Sequence, residues 1–148
     1  MNRPYTRIAL AGSGAILGII GSFVMSAPRI FLATSEVIVE QDAGLMSEIT
    51  APSGILVIAG LFMMLGAVML RFANMGLICG ALVYGSYGIS RLISMHLHGT
   101  PSETLIVVTY FELGVAALLL ALHLTAPTSS EYEYSAVSRA AHSNHFLG

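Results

Sequence analysis

Arg91 and Glu112 each stand inside a long run of apolar residues, and no other charged side chain of the sequence is placed so. Arg91 lies about four residues from the end of its run, and Glu112 about eight residues into the next. At the helical rise these offsets correspond to depths of roughly 6 Å and 12 Å, measured from the same side. A bare charge near the centre of a bilayer costs about 2.5–3.5 kcal/mol, so residues of this kind pair with each other or serve a function. An Arg91–Glu112 ion pair between antiparallel neighbours is the expected solution. Glu48 precedes Pro52 by about one helical turn at the start of another apolar run, and would place a second carboxylate near the same guanidinium. Tyr84, Tyr87, Ser90 and Tyr110 are on the same two helices and supply possible hydroxyl partners. A Glu48–Arg91–Glu112 cluster can bind a small ligand or move a proton. It can equally be a structural clamp that fixes helix register, as buried ion pairs often are.

The elements that position these residues are four apolar stretches, at about 8–26, 49–70, 73–95 and 104–124. Each is near the ~20 residues with which an α-helix crosses a bilayer. None alternates with period two, so barrel strands are not indicated. Of the 148 residues 55% are hydrophobic and 9% charged, against about a quarter charged in soluble domains. The mean hydropathy is +0.80. The fold expected is an all-α, antiparallel four-helix bundle in the membrane, spanning residues 1–125. A polar tail, 126–148, follows. The first stretch could instead be a secretory signal, but its run of about 18 residues exceeds the usual ~7–15, and Pro28 makes a poor mature start.

Arg3, Arg7, Arg71 and Arg139 fall on one side of four crossings, and Arg29 and Arg91 on the other. Positive charge is retained inside, so both termini are expected in the cytoplasm. The long connection 26–48 carries Glu36, Glu40, Asp42 and Glu48 on the outer side. Its residues Ile30, Phe31 and Leu32 suit a short interfacial helix. Ser102 or Thr100 is expected to cap the fourth helix.

Glycines recur at close-packing intervals: Gly14 and Gly18 in the first stretch, Gly76 and Gly80 in the third, with Gly60, Gly66, Gly85 and Gly88 beside them. Small residues spaced by four let helices approach closely in lipid. They serve either packing within the bundle or docking against another subunit.

The chemistry the sequence excludes is broad. There is no nucleophile elbow, phosphate loop, zinc-protease motif or dinucleotide fingerprint. Cys79 is a single cysteine within an apolar run. His96 and His98, two apart, do not converge on one metal without further ligands. No cofactor or metal is expected. With a net charge of −2 there is no basic field for nucleic acid.

Three segments together resemble a known family. They are Ser47-Glu48-Ile49-Thr50-Ala51-Pro52-Ser53-Gly54; Tyr87-Gly88-Ile89-Ser90-Arg91-Leu92-Ile93-Ser94; and His98-Gly99-Thr100-Pro101-Ser102 followed by Phe111-Glu112-Leu113-Gly114. They are similar to the small four-helix bacterial membrane proteins of domain-of-unknown-function family 4345, over about residues 8–124. Glu48, Arg91 and Glu112 match the family pattern; Thr50 stands where an Arg is common, and Ser90 where a Gly is common. The resemblance implies a bacterial inner-membrane protein and no particular activity. A likeness to DoxX-type membrane proteins is one of fold only. The leading functional expectation is a non-enzymatic accessory subunit that packs against a membrane complex or a second copy. The alternative is a small transporter or ligand-binding protein that uses Glu48, Arg91 and Glu112.

Overall fold

A computed structural model describes residues 4–40 and 42–125, and these form helices and connections with no strand among them. Helix α1 covers Pro4–Ser26, α2 Pro28–Ala33, α3 Ala43–Val68, α4 Ala73–His98 and α5 Glu103–Leu124. α1, α3, α4 and α5 are each long and apolar enough to cross a membrane. Their outer faces carry Ile8, Ile19, Ile58, Leu61, Leu82, Val107 and Leu124, all more than half exposed. An apolar surface of this extent suits hydrocarbon and not water. The expected tail, 126–148, lies outside the described residues.

The helix boundaries follow from local chemistry. Pro4 and Pro28 each open a helix, where the missing N–H is not needed. Glu36 takes a left-handed conformation (φ 63°), and the Val37 N–H then reaches the Leu32 carbonyl at 3.1 Å. α3 begins at Ala43, six residues before the expected Ile49. The Asp42 side chain accepts a hydrogen bond from the Leu45 N–H at 2.8 Å and caps the helix there. Apolarity marks where the chain enters hydrocarbon, whereas the cap marks where the helix starts. α3 and α4 are joined by a single 3-10 turn, Leu70–Phe72. α4 ends at Gly99, whose φ of 95° suits a residue without Cβ. Ser102 occupies the N-cap position of α5 but makes no capping bond. Its hydroxyl instead donates to the Ser35 carbonyl at 3.0 Å and ties the two loops together.

The helices run antiparallel in sequence, so α1 and α5 end with their termini at one end of the bundle, the terminal end. The connections 27–42 and 99–102 lie at the other, the loop end. α1 packs along α3, α3 against α4 and α4 against α5, while α3 and α5 do not pack on each other. The α1–α3 seam is the tightest. A Cβ on Gly60 would lie 2.6 Å from the Gly14 carbonyl oxygen and 2.7 Å from the Gly18 nitrogen. A Cβ on Gly21 would lie 2.8 Å from the Ser53 carbonyl oxygen. Bare backbones therefore touch, and dispersion contacts replace the hydrophobic effect that lipid cannot supply. Gly76 admits Leu10, and Gly80 admits Met63 and Leu119.

At the terminal end one side chain from each long helix is sealed from the surface: Leu10, Met63, Leu77 and Leu119, at 0 to 1% exposure. Arg7 closes this end. Its Nε donates to the Ala67 carbonyl at 2.7 Å and a terminal nitrogen to Val68 at 3.3 Å. A guanidinium there satisfies carbonyls that the last turn of α3 leaves unpaired and complements the helix dipole. His123 Nδ1 and the Asn74 side-chain oxygen, 2.6 Å apart, join α5 to α4 at the same level.

Candidate functional site

The loop half of the bundle is built differently. Gly88 on α4 carries no side chain, and a Cβ there would meet Leu113 at 2.7 Å. α5 thus approaches α4 closely at this level, and the neighbouring Glu112 is brought against Arg91, one turn above Gly88. Arg91 Nε donates to Glu112 Oε2 at 3.0 Å. The Glu112 side chain is 12% exposed and that of Arg91 32%. Only one guanidinium N–H and one carboxylate oxygen are used in this bond. Among the described residues neither side chain makes another.

Beside the pair lies a cavity of about 260 Å³. α1 contributes Leu17, Ile20 and Val24, and α2 contributes Phe31 and Leu32. α3 contributes Ile49, Pro52, Ser53 and Leu56. From α4 and α5 come Tyr84, Tyr87, Arg91, Val108, Phe111 and Glu112. The cavity occupies the space left where α3 and α5 fail to meet. Two of its hydroxyls are already committed. The Tyr84 hydroxyl donates to the Ser13 carbonyl at 2.8 Å, and the Ser53 hydroxyl to the Thr50 carbonyl. Tyr84 and Phe111 meet edge to face, with centroids 6.4 Å apart. The cavity is therefore apolar except at one wall, where Arg91, Glu112 and the Tyr87 hydroxyl offer hydrogen bonds. On the far side of Arg91 a smaller pocket of about 90 Å³, lined in part by Ser94, Gly99 and Pro101, leads toward the loops.

Of the three charged residues singled out from sequence, Arg91 and Glu112 come together. Glu48 stands exposed on the second turn of α3 and forms no salt bridge with Arg91. Pro52, four residues on, withholds the N–H that would bond the Glu48 carbonyl. The residue after Glu48, Ile49, lines the cavity instead. Ser90 and Tyr110 are likewise exposed, away from the site. The contributions of α1 and α2 had no signal in the sequence beyond apolarity. Proline at position 28 does set α2 off as a separate short helix, and that turns Phe31 and Leu32 over the cavity.

Among the glycines, Gly14, Gly76 and Gly80 face neighbouring helices of the same chain. Gly18 touches Gly60 through its backbone while its own Cβ direction is open.

No curated protein and no solved structure matches the chain. A family model does, over residues 5–123, which takes in all four long helices and both members of the ion pair. The chain belongs to the family described as domain of unknown function DUF4345.

Proposed function

We propose that this multi-pass membrane protein holds a small, apolar-bodied molecule in the loop half of its bundle, with Arg91 and Glu112 as the polar contact. The observation that carries this reading is the conjunction of the 260 Å³ cavity and an ion pair of which most hydrogen-bonding capacity is unspent. A purely structural clamp would turn its donors toward protein. Ligand sites are in general apolar with a few convergent polar groups, and this wall has that composition. The setting is a bacterial inner membrane, as the family resemblance implies. The terminal end faces the cytoplasm, supported by Arg7 and Arg71 there, so the cavity opens in the outer half.

The accessory-subunit reading stands second. Most of the glycines that motivated it contact other helices of the same chain. One observation still favours it: Gly114, Ala117 and Ala121 form an exposed small-residue face on α5. The two readings separate on purification of tagged protein from its native membrane in mild detergent. Ligand binding predicts a small molecule in the organic extract that is lost from Val108→Trp, a variant that fills the cavity. An extract identical for the two proteins, with a stoichiometric partner chain in both, would overturn it in favour of the accessory role.

A further inference from the structure

Resting on that cavity reading, we infer that its occupant is an uncharged amphiphile whose head group both accepts and donates hydrogen bonds, as a carboxamide does. The wall that would meet the head group is electrically balanced. Arg91 and Glu112 neutralise each other at 3.0 Å, and apart from the neutral Tyr87 hydroxyl the rest of the lining is apolar or already hydrogen-bonded. A charged head group would find no counter-ion there. Seating an anion on Arg91 or a cation on Glu112 would draw that residue from its partner and leave the other charge bare in a poorly solvated site.

A neutral head group faces no such conflict. Its acceptor meets the guanidinium N–H groups that Glu112 does not use, and its donor meets Glu112 Oε1 or the Tyr87 oxygen. The surroundings disfavour anions further. Among the described residues at the loop end, Glu36, Glu40, Asp42, Glu48 and Glu103 are all exposed, and the one cation at that end outside the pair, histidines aside, is exposed Arg29. Such a mouth lowers the local concentration of anions. The size is compatible with a short chain or a single ring: an apolar cavity of about 150 Å³ takes up benzene, and this one measures about 260 Å³.

Three probes with the same eight-carbon tail test the charge class: octanamide, octanoate and octylammonium. The full chain is placed in phosphatidylcholine nanodiscs at pH 7, and saturable binding of labelled octanamide is measured above that of empty discs. Octanamide should bind, and the two ions should compete at least about tenfold more weakly, the minimum expected when a buried charge goes uncompensated. Glu112→Gln should shift the preference to octanoate, and Arg91→Gln to octylammonium. The double Gln variant, which keeps hydrogen-bonding groups but no charge, should again prefer octanamide. Helix content and monodispersity of each variant confirm folding. Saturable binding of either ion to the unaltered protein at or above the strength of octanamide would overturn the inference while leaving the cavity reading intact. No saturable binding of any probe, with Val108→Trp indistinguishable from the parent, would overturn the cavity reading and this inference with it.

Discussion

The two halves of the bundle solve the same packing problem with different materials. Toward the terminal end, the largest fully buried side chains are Leu10, Leu77, Leu119 and Met63, one from each long helix. Toward the loop end, the fully buried side chains are Ser53 and Thr109, whose hydroxyls bond carbonyls of their own helices. The first half is filled; the second contains an ion pair and a cavity. The same four helices run through both, so the difference lies in side chains and not in topology. A bundle needs one well-packed half to hold its helices in register. The other half is then free to keep space and unspent polar groups.

If that division is correct, disrupting the packed seam should have the largest effect. Gly60→Val places atoms where the backbones of Gly14 and Gly18 already stand, and backbone cannot swing aside. A loss of more than about 3 kcal/mol is expected, at or beyond the upper range for overpacked cores. Unfolding by sodium dodecyl sulfate in mixed micelles measures it. A loss below about 1 kcal/mol would mean that α1 and α3 are not held by this seam.

Next comes Leu119→Ala, at about 2–3 kcal/mol, since a sealed site leaves a cavity that does not collapse. Its counterpart at the loop end, Val108→Ala, only enlarges a space that already exists and should lose well under 1 kcal/mol. Equal losses from the two would remove the contrast between the halves.

The four crossings and the ion pair were legible in the sequence; the contrast between the halves was not. The four crossings followed from the length and apolarity of the runs. The Arg91–Glu112 contact followed from their depths on consecutive antiparallel helices, because the short 99–102 connection permits few other registers. The position of Glu48 was not legible in the same way. Glu48 shares a level with Arg91, but level does not determine which face of α3 it occupies. That face is set by the α1–α3 seam, which turns Ser53, Leu56 and Gly60 inward and so leaves Glu48 outside. A cavity in this half was expected only under the ligand-binding reading, and its walls were beyond reach for a related reason: a void is defined by what neighbouring helices fail to fill. The start of α3 was missed because a polar cap precedes its apolar run.

The ion pair should come third. Arg91→Gln or Glu112→Gln each leaves one partner uncompensated. Removing one member of a fully buried pair costs about 3–5 kcal/mol, but Arg91 is 32% exposed, so about 1–2 kcal/mol is the fitting expectation. A double-mutant cycle, read by the same unfolding measurement, should return a positive coupling energy. The exchange Arg91→Glu with Glu112→Arg should recover part of the loss. Absence of coupling would return Arg91 and Glu112 to independent roles. At the terminal end, Arg7→Gln should cost about 1 kcal/mol through lost contacts to the carbonyls of Ala67 and Val68.

The smallest effect belongs to Gly18→Ala, and its contrast with Gly14→Ala best separates geometry from motif. Gly14 and Gly18 form a single GxxxG pair, and a motif reading treats them alike. In the structure a Cβ on Gly14 would meet the Gly60 carbonyl oxygen at 2.8 Å and the Met63 Cβ at 3.0 Å, whereas a Cβ on Gly18 would meet nothing within 4 Å. Gly14→Ala should therefore destabilise by about 1–3 kcal/mol through overpacking. Gly18→Ala should be neutral or slightly stabilising, because alanine is the better helix former by ~1 kcal/mol where no contact opposes it. The pair is compared by unfolding in mixed micelles, with partner exchange between differently tagged copies as a second readout. If Gly18→Ala weakens self-association while leaving unfolding unchanged, its open side is a docking face. If it changes neither, the glycine serves only by letting its backbone lie against Gly60, and the motif acts wholly within one chain.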